Sequence, residues 1–333
     1  MNILVTGGAG YIGSHAAQRL VADGHRVTVL DNLKRGHRAA ALAAGVAEGD
    51  VLDLDLRQTD ALAVELRDRA IEAVIHFAAL TYVGESVEQP LAYYDNNTAG
   101  SVSLLRAMQS AGVKRIVFSS TAATYGEPET MPITEDTPQQ PINPYGASKL
   151  FTERALDDLV TADGGFAFAA LRYFNVCGAD PQTRIGEDHD PETHLIPVVL
   201  QVALGQREKI TIFGDDFPTP DGTCIRDYVH VVDLVDAHVV ALGALRDGDR
   251  RKYNLGSGRG HSVLEVIEAV RRVTGHDIPA QVGPRRPGDP PSLYADASKI
   301  ERELGWMAAR TDLETMIEDA WKWFREHPYG YGG

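Results

Sequence analysis

Runs of hydrophobic residues recur through the first half of the chain, separated by longer stretches in which apolar residues fall at helical spacing. Ile3–Val5, Val27–Leu30, Ala73–Phe77, Ile116–Phe118 and Phe166–Leu171 are nearly continuous in apolar residues, as expected of parallel strands covered on both faces. Between them, Ile12, Ala16 and Leu20, or Val102, Leu105 and Met108, would share one helix face. Such alternation predicts an α/β fold: a doubly wound parallel sheet with right-handed crossovers. The second half is less regular. Cys177 to Pro220 is rich in Pro, Gly, Asp and Thr, and helices are predicted near Pro197–Gly205, Val263–Thr274 and Leu313–His327. Gly283–Pro291 has the composition of an ordered loop. The pattern predicts a doubly wound domain over residues 1–176 and a smaller α/β lobe over 177–333, with segments around 226–256 packing back on the first domain. No internal repeat or low-complexity tract interrupts it.

Composition narrows the partners. Of 333 residues, 44% are hydrophobic and 24% charged, which fits a globular chain. Lys plus Arg number 32 against 47 Asp plus Glu, a net charge of −15 that argues against nucleic acid or an anionic membrane as partner. A few basic residues converging locally could still hold one anionic ligand. Cys177 and Cys224 are too few for a disulfide framework, so a reducing compartment is expected. The apolar run from His194 to Gly205 contains Pro197 and falls short of the roughly 20 residues a membrane span needs. Met1-Asn2 leads straight into Ile3 without a leader pattern, and a cytoplasmic location is expected.

The first candidate strand ends in Thr6-Gly7-Gly8-Ala9-Gly10-Tyr11-Ile12-Gly13. Glycines in such a turn permit positive φ and let the main chain approach a pyrophosphate, while the following helix offers free N–H groups. Alone they are weak evidence. The second strand, however, ends in Asp31, 18 residues after Gly13, where a carboxylate would accept hydrogen bonds from an adenosine ribose. That residue favours NAD over NADP, although Lys34 and Arg35 lie close by. The bland alternative is a structural turn followed by a solvated Asp.

Asn143-Pro144-Tyr145-Gly146-Ala147-Ser148-Lys149 carries candidate chemistry. Asn143 suits an N-cap and Pro144 the first helical position, which puts Tyr145 and Lys149 on one helix face. A phenol of pKa about 10 becomes a base at neutral pH only with about 4 kcal/mol of help. An ammonium, a helix N-terminus and a cationic nicotinamide ring are three sources of it. A solvated surface pair is the competing reading. The hydroxyl-rich strand end Phe118-Ser119-Ser120-Thr121 just upstream favours the functional one. Asp188-His189-Asp190-Pro191-Glu192-Thr193-His194 matches neither a helical His-x-x-x-His pair nor a Cys/His knuckle. It is read as a polar loop, with no metal expected.

These motifs together resemble the extended short-chain dehydrogenase/reductase superfamily and, within it, the UDP-glucose 4-epimerase family, over nearly the whole chain. The resemblance also rests on Asp31-Asn32-Leu33, His76-Phe77-Ala78-Ala79, Val83-Gly84-Glu85-Ser86, Tyr93-Tyr94-Asp95-Asn96-Asn97 and Leu171-Arg172-Tyr173-Phe174-Asn175. Further on come Gly222-Thr223-Cys224-Ile225-Arg226-Asp227-Tyr228-Val229-His230, Tyr253-Asn254-Leu255-Gly256 and Arg285-Arg286-Pro287-Gly288-Asp289. It implies a Rossmann-type domain with NAD held by Gly7, Gly10, Tyr11, Ile12, Gly13, Asp31 and Asn32. Asp50 and Val51 would flank the adenine, and Phe77, Ala78, Asn96, Ser119 and Tyr173 would line the cleft with Tyr145 and Lys149. Thr121, Tyr145 and Lys149 would be the catalytic group. Phe174, Asn175, His194, Leu195, Arg226, Arg286 and Asp289, with Thr121 and Tyr145, would bind a UDP-sugar.

The implied reaction interconverts UDP-glucose and UDP-galactose by transient oxidation at C4′, rotation of the 4-keto sugar and hydride return. A homodimer through helices near Asn97–Gly112 and Tyr145–Thr161 is also implied. Three positions depart from common family patterns: Thr121 where Ser is frequent, Thr81 where some members carry Lys, and Leu293 where some carry Tyr. The last leaves N-acetylhexosamines open as substrates. A UDP-glucuronate or UDP-xylose 4-epimerase is the alternative. A dehydratase is disfavoured because Ala122-Ala123 follows Thr121 where an acid would be needed, and a non-catalytic dinucleotide sensor would not need Thr121, Tyr145 and Lys149 together.

Overall fold

The computed structural model describes residues 1–286 and 289–332. Pro287 and Gly288, in the middle of the predicted 283–291 loop, lie outside the described residues. The strands are β1 (Asn2–Thr6), β2 (Arg26–Asp31), β3 (Val51–Asp53), β4 (Ala73–His76), β5 (Arg115–Ser119), β6 (Ala167–Tyr173) and β7 (Asn175–Cys177). They continue as β8 (Ile210–Phe213), β9 (Ile225–His230), β10 (Arg250–Leu255), β11 (Gly260–Ser262), β12 (Ala280–Gly283) and β13 (Ser292–Leu293).

Seven of them form one parallel sheet in the order β10-β6-β5-β4-β1-β2-β3. All five predicted strands are present. Two members were not foreseen: β3 is only three residues long, and β10 opens with the charged run Arg250-Arg251-Lys252, which hides its strand character. Because β10 and the Val231–Ala244 helix join this first layer, the chain returns to it after leaving at Cys177.

Each strand sends alternate residues to opposite faces. Ile3, Val5, Val29, Ile75 and Val117 pack with Ala16, Leu20 and Val235 on one side. Leu4, Leu30, Val74, Ile116 and Phe118 pack with Leu62, Leu104, Met108 and Leu156 on the other. Helices therefore cover both faces, and the doubly wound sheet is observed. A separate core beneath the smaller lobe joins Val199 and Leu200 to Ile267, Val270, Ile317 and Trp323. Its helices run over Leu195–Ala203, Val263–Thr274 and Leu313–Glu326, within two residues of prediction. β9 is the hub of the small sheet, pairing with β7, β11 and β13. The strand order of the large sheet reverses between β1 and β4, which opens a crevice at their carboxyl ends.

Candidate active site

The glycine turn lines that crevice. Gly7 has φ +69°, and a Cβ there would lie 2.6 Å from the Ala78 amide nitrogen, so the loops after β1 and β4 touch because Gly7 lacks a side chain. A Cβ on Gly13 would sit 2.1 Å from the Gly7 carbonyl oxygen. Gly10 is the N-cap of the Tyr11–Ala22 helix and no side chain caps it, so the first-turn N–H groups of Tyr11, Ile12 and Gly13 remain available to an anion. At the end of β2, the buried Asp31 carboxylate accepts from the amides of Ala9 (3.1 Å) and Leu33 (2.9 Å). Burial raises its pKa, those two amides oppose the rise, and its remaining lone pairs can accept ribose hydroxyls.

The Phe77 and His238 rings pack at a tilt with centroids 4.8 Å apart, and the Asn96 amide donates to Asn97. Asn97 in turn bridges the Leu80 backbone and the Ser148 hydroxyl. An uncapped helix end, a cradle that any Cβ would fill and a ribose-height carboxylate fit an NAD molecule.

Asp50 and Val51 do not join this group. β2 and β3 pair in register Val29↔Val51 and Asp31↔Asp53, which puts Asp50 at the amino end of β3. There it pairs with Arg69 at 2.5 Å and Arg26 at 3.6 Å. The carboxyl edge next to Asp31 is instead formed by Asp53, Leu54 and Asp55, and Asn32 donates to Asp55 at 3.0 Å. Three candidate aspartates lie close together in this stretch, and only the strand register separates them.

Helix Pro144–Ala162 starts as expected: Pro144 is in its first turn and the Asn143 carboxamide oxygen accepts from the Gly146 amide at 2.8 Å. A Cβ on Gly146 would lie 2.4 Å from the Ala123 carbonyl, so this glycine lets the helix start press against the loop carrying Thr121. Lys149 is buried, donates to the Ser119 carbonyl at 2.8 Å and lies 5.0 Å above the Phe118 ring. Desolvation brings its pKa down to about 7. Burial pushes the Tyr145 phenol up, opposed by the Thr121 hydroxyl. Burial therefore shifts both groups toward their neutral forms. Tyr173 reaches the Ser119 hydroxyl from β6. His76 bridges the hydroxyls of Thr6 (2.7 Å) and Ser101 (2.9 Å), and burial lowers its pKa to about 3, so it is neutral.

Beneath this group lies a buried network that the motifs did not single out. Arg172 donates to both Glu153 oxygens at 3.0 and 2.6 Å, Ser120 also donates to Glu153, and Arg172 reaches the Tyr125 hydroxyl at 2.7 Å. Tyr125 passes the chain on to Asn254 at 2.6 Å. A signal for it was present: an arginine inside the apolar run Phe166–Tyr173 must find a buried partner.

In the smaller lobe, Arg226 donates to the Pro290 carbonyl (2.9 Å) and to Asp289 (3.3 Å), and Arg286 donates to the other Asp289 oxygen at 2.8 Å. The two guanidinium groups thus meet on one carboxylate. Asn175 donates to the Asp227 carbonyl, and Phe174 packs with Ala122, Tyr125 and Leu293. His194 and Leu195 begin the Leu195–Ala203 helix. His194 is drawn toward Glu187, His189 and Glu192, whose possible ligand atoms all lie within 4.8 Å of one another. The sequence reading expected no such convergence.

The NAD dependent epimerase/dehydratase family model matches residues 3–256, about three quarters of the chain and all the catalytic candidates. The chain belongs to this family. Its relatives in the epimerase/dehydratase family include the UDP-glucose 4-epimerase of Halalkalibacterium halodurans, 54% identical over 99% of this chain and 98% of that one. A crystal structure of a UDP-glucose 4-epimerase matches with TM-score 0.94 at 50% identity, covering all of both chains. The Bifidobacterium longum UDP-glucose 4-epimerase, solved with NAD+ and UDP, matches with TM-score 0.94 at 42% identity over 99% of this chain and 100% of that one.

Proposed function

We propose that this chain is an NAD-dependent isomerase that interconverts UDP-glucose and UDP-galactose. The observation that carries the reading is the meeting of Thr121, Tyr145 and Lys149 at the carboxyl edge that also bears Gly7 and Asp31. Tyr145 takes the proton of the sugar 4′-hydroxyl while Thr121 hydrogen-bonds the same oxygen. Lys149, fixed by the Ser119 carbonyl, favours the phenolate whenever it is protonated. Bound NAD supplies a hydride acceptor and donor together with positive charge in the oxidised form. Since burial opposes ionisation of Tyr145, base strength is expected to develop only with the oxidised cofactor in place.

Arg226 and Arg286 clamp the pyrophosphate bidentately. The 4-keto sugar then turns about that anchor and presents its other face, and Tyr145 returns the proton. We assign the adenine contact to Asp55 rather than Asp50, because Asp55 accepts from Asn32 at the edge beside Asp31. Leu293, which pairs in register with Arg226, stands where some members carry Tyr and leaves N-acetylhexosamines open as substrates. Incubation with UDP-galactose, UDP-N-acetylgalactosamine and UDP-glucuronate, followed by NMR, tests the reading. Absence of UDP-glucose from UDP-galactose by NAD-loaded protein would refute it.

The chain is further expected to form a homodimer. Leu91 is 80% exposed and Phe151 58% exposed, and their segments pack together beside the Gly100–Ala111 helix. Two free, buried cysteines support a cytoplasmic location.

A further inference from the structure

We propose that Glu187, His189, Glu192 and His194 form a closed site for a divalent transition-metal ion of the zinc class, which fastens the 187–194 loop between the two lobes. Both histidines turn Nδ1 inward. His194 Nδ1 lies 2.9 Å from Glu192 Oε1 and 3.1 Å from Glu187 Oε1. His189 Nδ1 lies 3.1 Å from Glu187 Oε1 and 3.5 Å from Glu192 Oε2. An ion with four bonds of about 2.0–2.1 Å at tetrahedral angles separates its ligand atoms by about 3.3–3.4 Å. With one ligand atom from each residue, the four lie within 4.8 Å of one another, and the closest pairs, at 2.9 and 3.1 Å, sit a few tenths of an ångström inside that edge length.

The orientation of His189 is the second observation. Its Nδ1 is buried and has no hydrogen-bond partner, although a glutamate oxygen is only 3.1 Å away. His194 Nδ1 is hydrogen-bonded to Glu192 at 2.9 Å, whereas His189 Nδ1 points into the cluster without such a bond. Both carboxylates are nearly sealed from water, with side chains 5% and 3% exposed. Two buried negative charges need two positive ones, and a dication supplies them at one point. Two imidazole nitrogens with two carboxylate oxygens suit zinc, whereas calcium and magnesium favour all-oxygen sets.

The surroundings resemble the outer contacts that orient metal ligands. Glu192 Oε1 accepts from the amides of Thr193 (2.7 Å) and His194 (2.8 Å). Tyr82 donates to the Pro191 carbonyl at 2.8 Å, and Trp323 to the Glu187 carbonyl at 3.0 Å. The Tyr11 and Tyr82 rings meet His189 edge-on. The loop is thus gripped by the first lobe on one side and the final helix on the other, and it leads directly into the Leu195–Ala203 helix. Four protein ligands leave no open position, so the role is structural. The competing occupant is a proton on each imidazole, giving an ion-pair cluster without metal.

The full-length protein, stripped with EDTA, is incubated with zinc sulfate, freed of unbound ion by gel filtration and analysed for metal. About one zinc per chain is expected, with an X-ray absorption shell of four N/O ligands at about 2.0 Å and no sulfur. His189→Gln is expected to retain under a tenth of it. Cobalt loading of the unmodified chain, which needs no variant, should give the intense visible bands of a tetrahedral site. Zinc well below stoichiometric, a sulfur-containing shell, stoichiometry unchanged in His189→Gln, or cobalt bands of octahedral type would each overturn the proposal in favour of protonated imidazoles.

Discussion

The carboxyl edge of the large sheet and the rim of the smaller lobe both gather ionisable groups, and they treat charge in opposite ways. At the sheet edge, Lys149 is sealed in and Tyr145 is half-buried, and desolvation moves both pKa values toward the neutral forms. At the rim, Arg226 and Arg286 share Asp289, and the Arg286 side chain is 60% exposed while that of Arg226 is 16% exposed. A proton-transfer group gains from a low-dielectric setting because a nearby charge then shifts its pKa strongly. A pyrophosphate clamp, the role proposed for these arginines, gains where a guanidinium stays hydrated until the ligand arrives, as Arg286 does, and would exchange one carboxylate partner for a dianionic one. Under the proposed function, exposure thus sets the outer arginine that would hold the ligand apart from the buried lysine beside the reacting group.

That division can be broken experimentally, and the hardest test falls on the buried side. Tyr145→Phe should lower kcat by about a thousandfold or more while KM and bound NAD change little, measured by coupled turnover and cofactor release. Arg172→Met leaves the Glu153 carboxylate buried without its partner and should cost about 3–5 kcal/mol of stability, read by denaturant unfolding. In the unmodified chain, burial raises the Glu153 pKa but Arg172, with Ser120 and Gln139, more than offsets it, holding the carboxyl below its ordinary value. Its stabilising contribution is therefore present above the unfolded-state pKa and lost as pH falls through the folded-state value. Lys149→Met should lower kcat about a hundredfold and move the activity profile to higher pH, because the phenolate loses its cationic neighbour.

On the rim the effects should be smaller and fall on binding. Arg226→Gln is expected to raise KM for the UDP-sugar about tenfold with kcat nearly kept. Least of all, Asp50→Asn should leave NAD affinity within about twofold while Asp55→Asn weakens it, as titration calorimetry would show. Equal losses from both would return Asp50 to the site.

Much of the reacting region was legible along the chain because its spacing is local. Helix geometry alone places Tyr145 and Lys149 on one face, and a strand, a glycine turn and a helix place Gly7, Gly13 and Asp31 at one edge. The short β3 defeated the same reasoning. Among Asp50, Asp53 and Asp55, periodicity gives no preference, and a shift of three residues moves a carboxylate from one end of the strand to the other.

The sequence by itself determined the doubly wound sheet, its cofactor edge and the Tyr–Lys helix, since each follows from periodicities of two and 3.6 residues and from turn chemistry. The tertiary structure alone decided the register of β3, the burial of Arg172 against Glu153, and the convergence of Glu187, His189, Glu192 and His194. Those depend on elements far apart in the chain, or on an irregular loop whose path is set by Tyr82 and Trp323 pressing from either side. No local period describes such contacts, because side-chain direction in a loop is fixed by what it packs against.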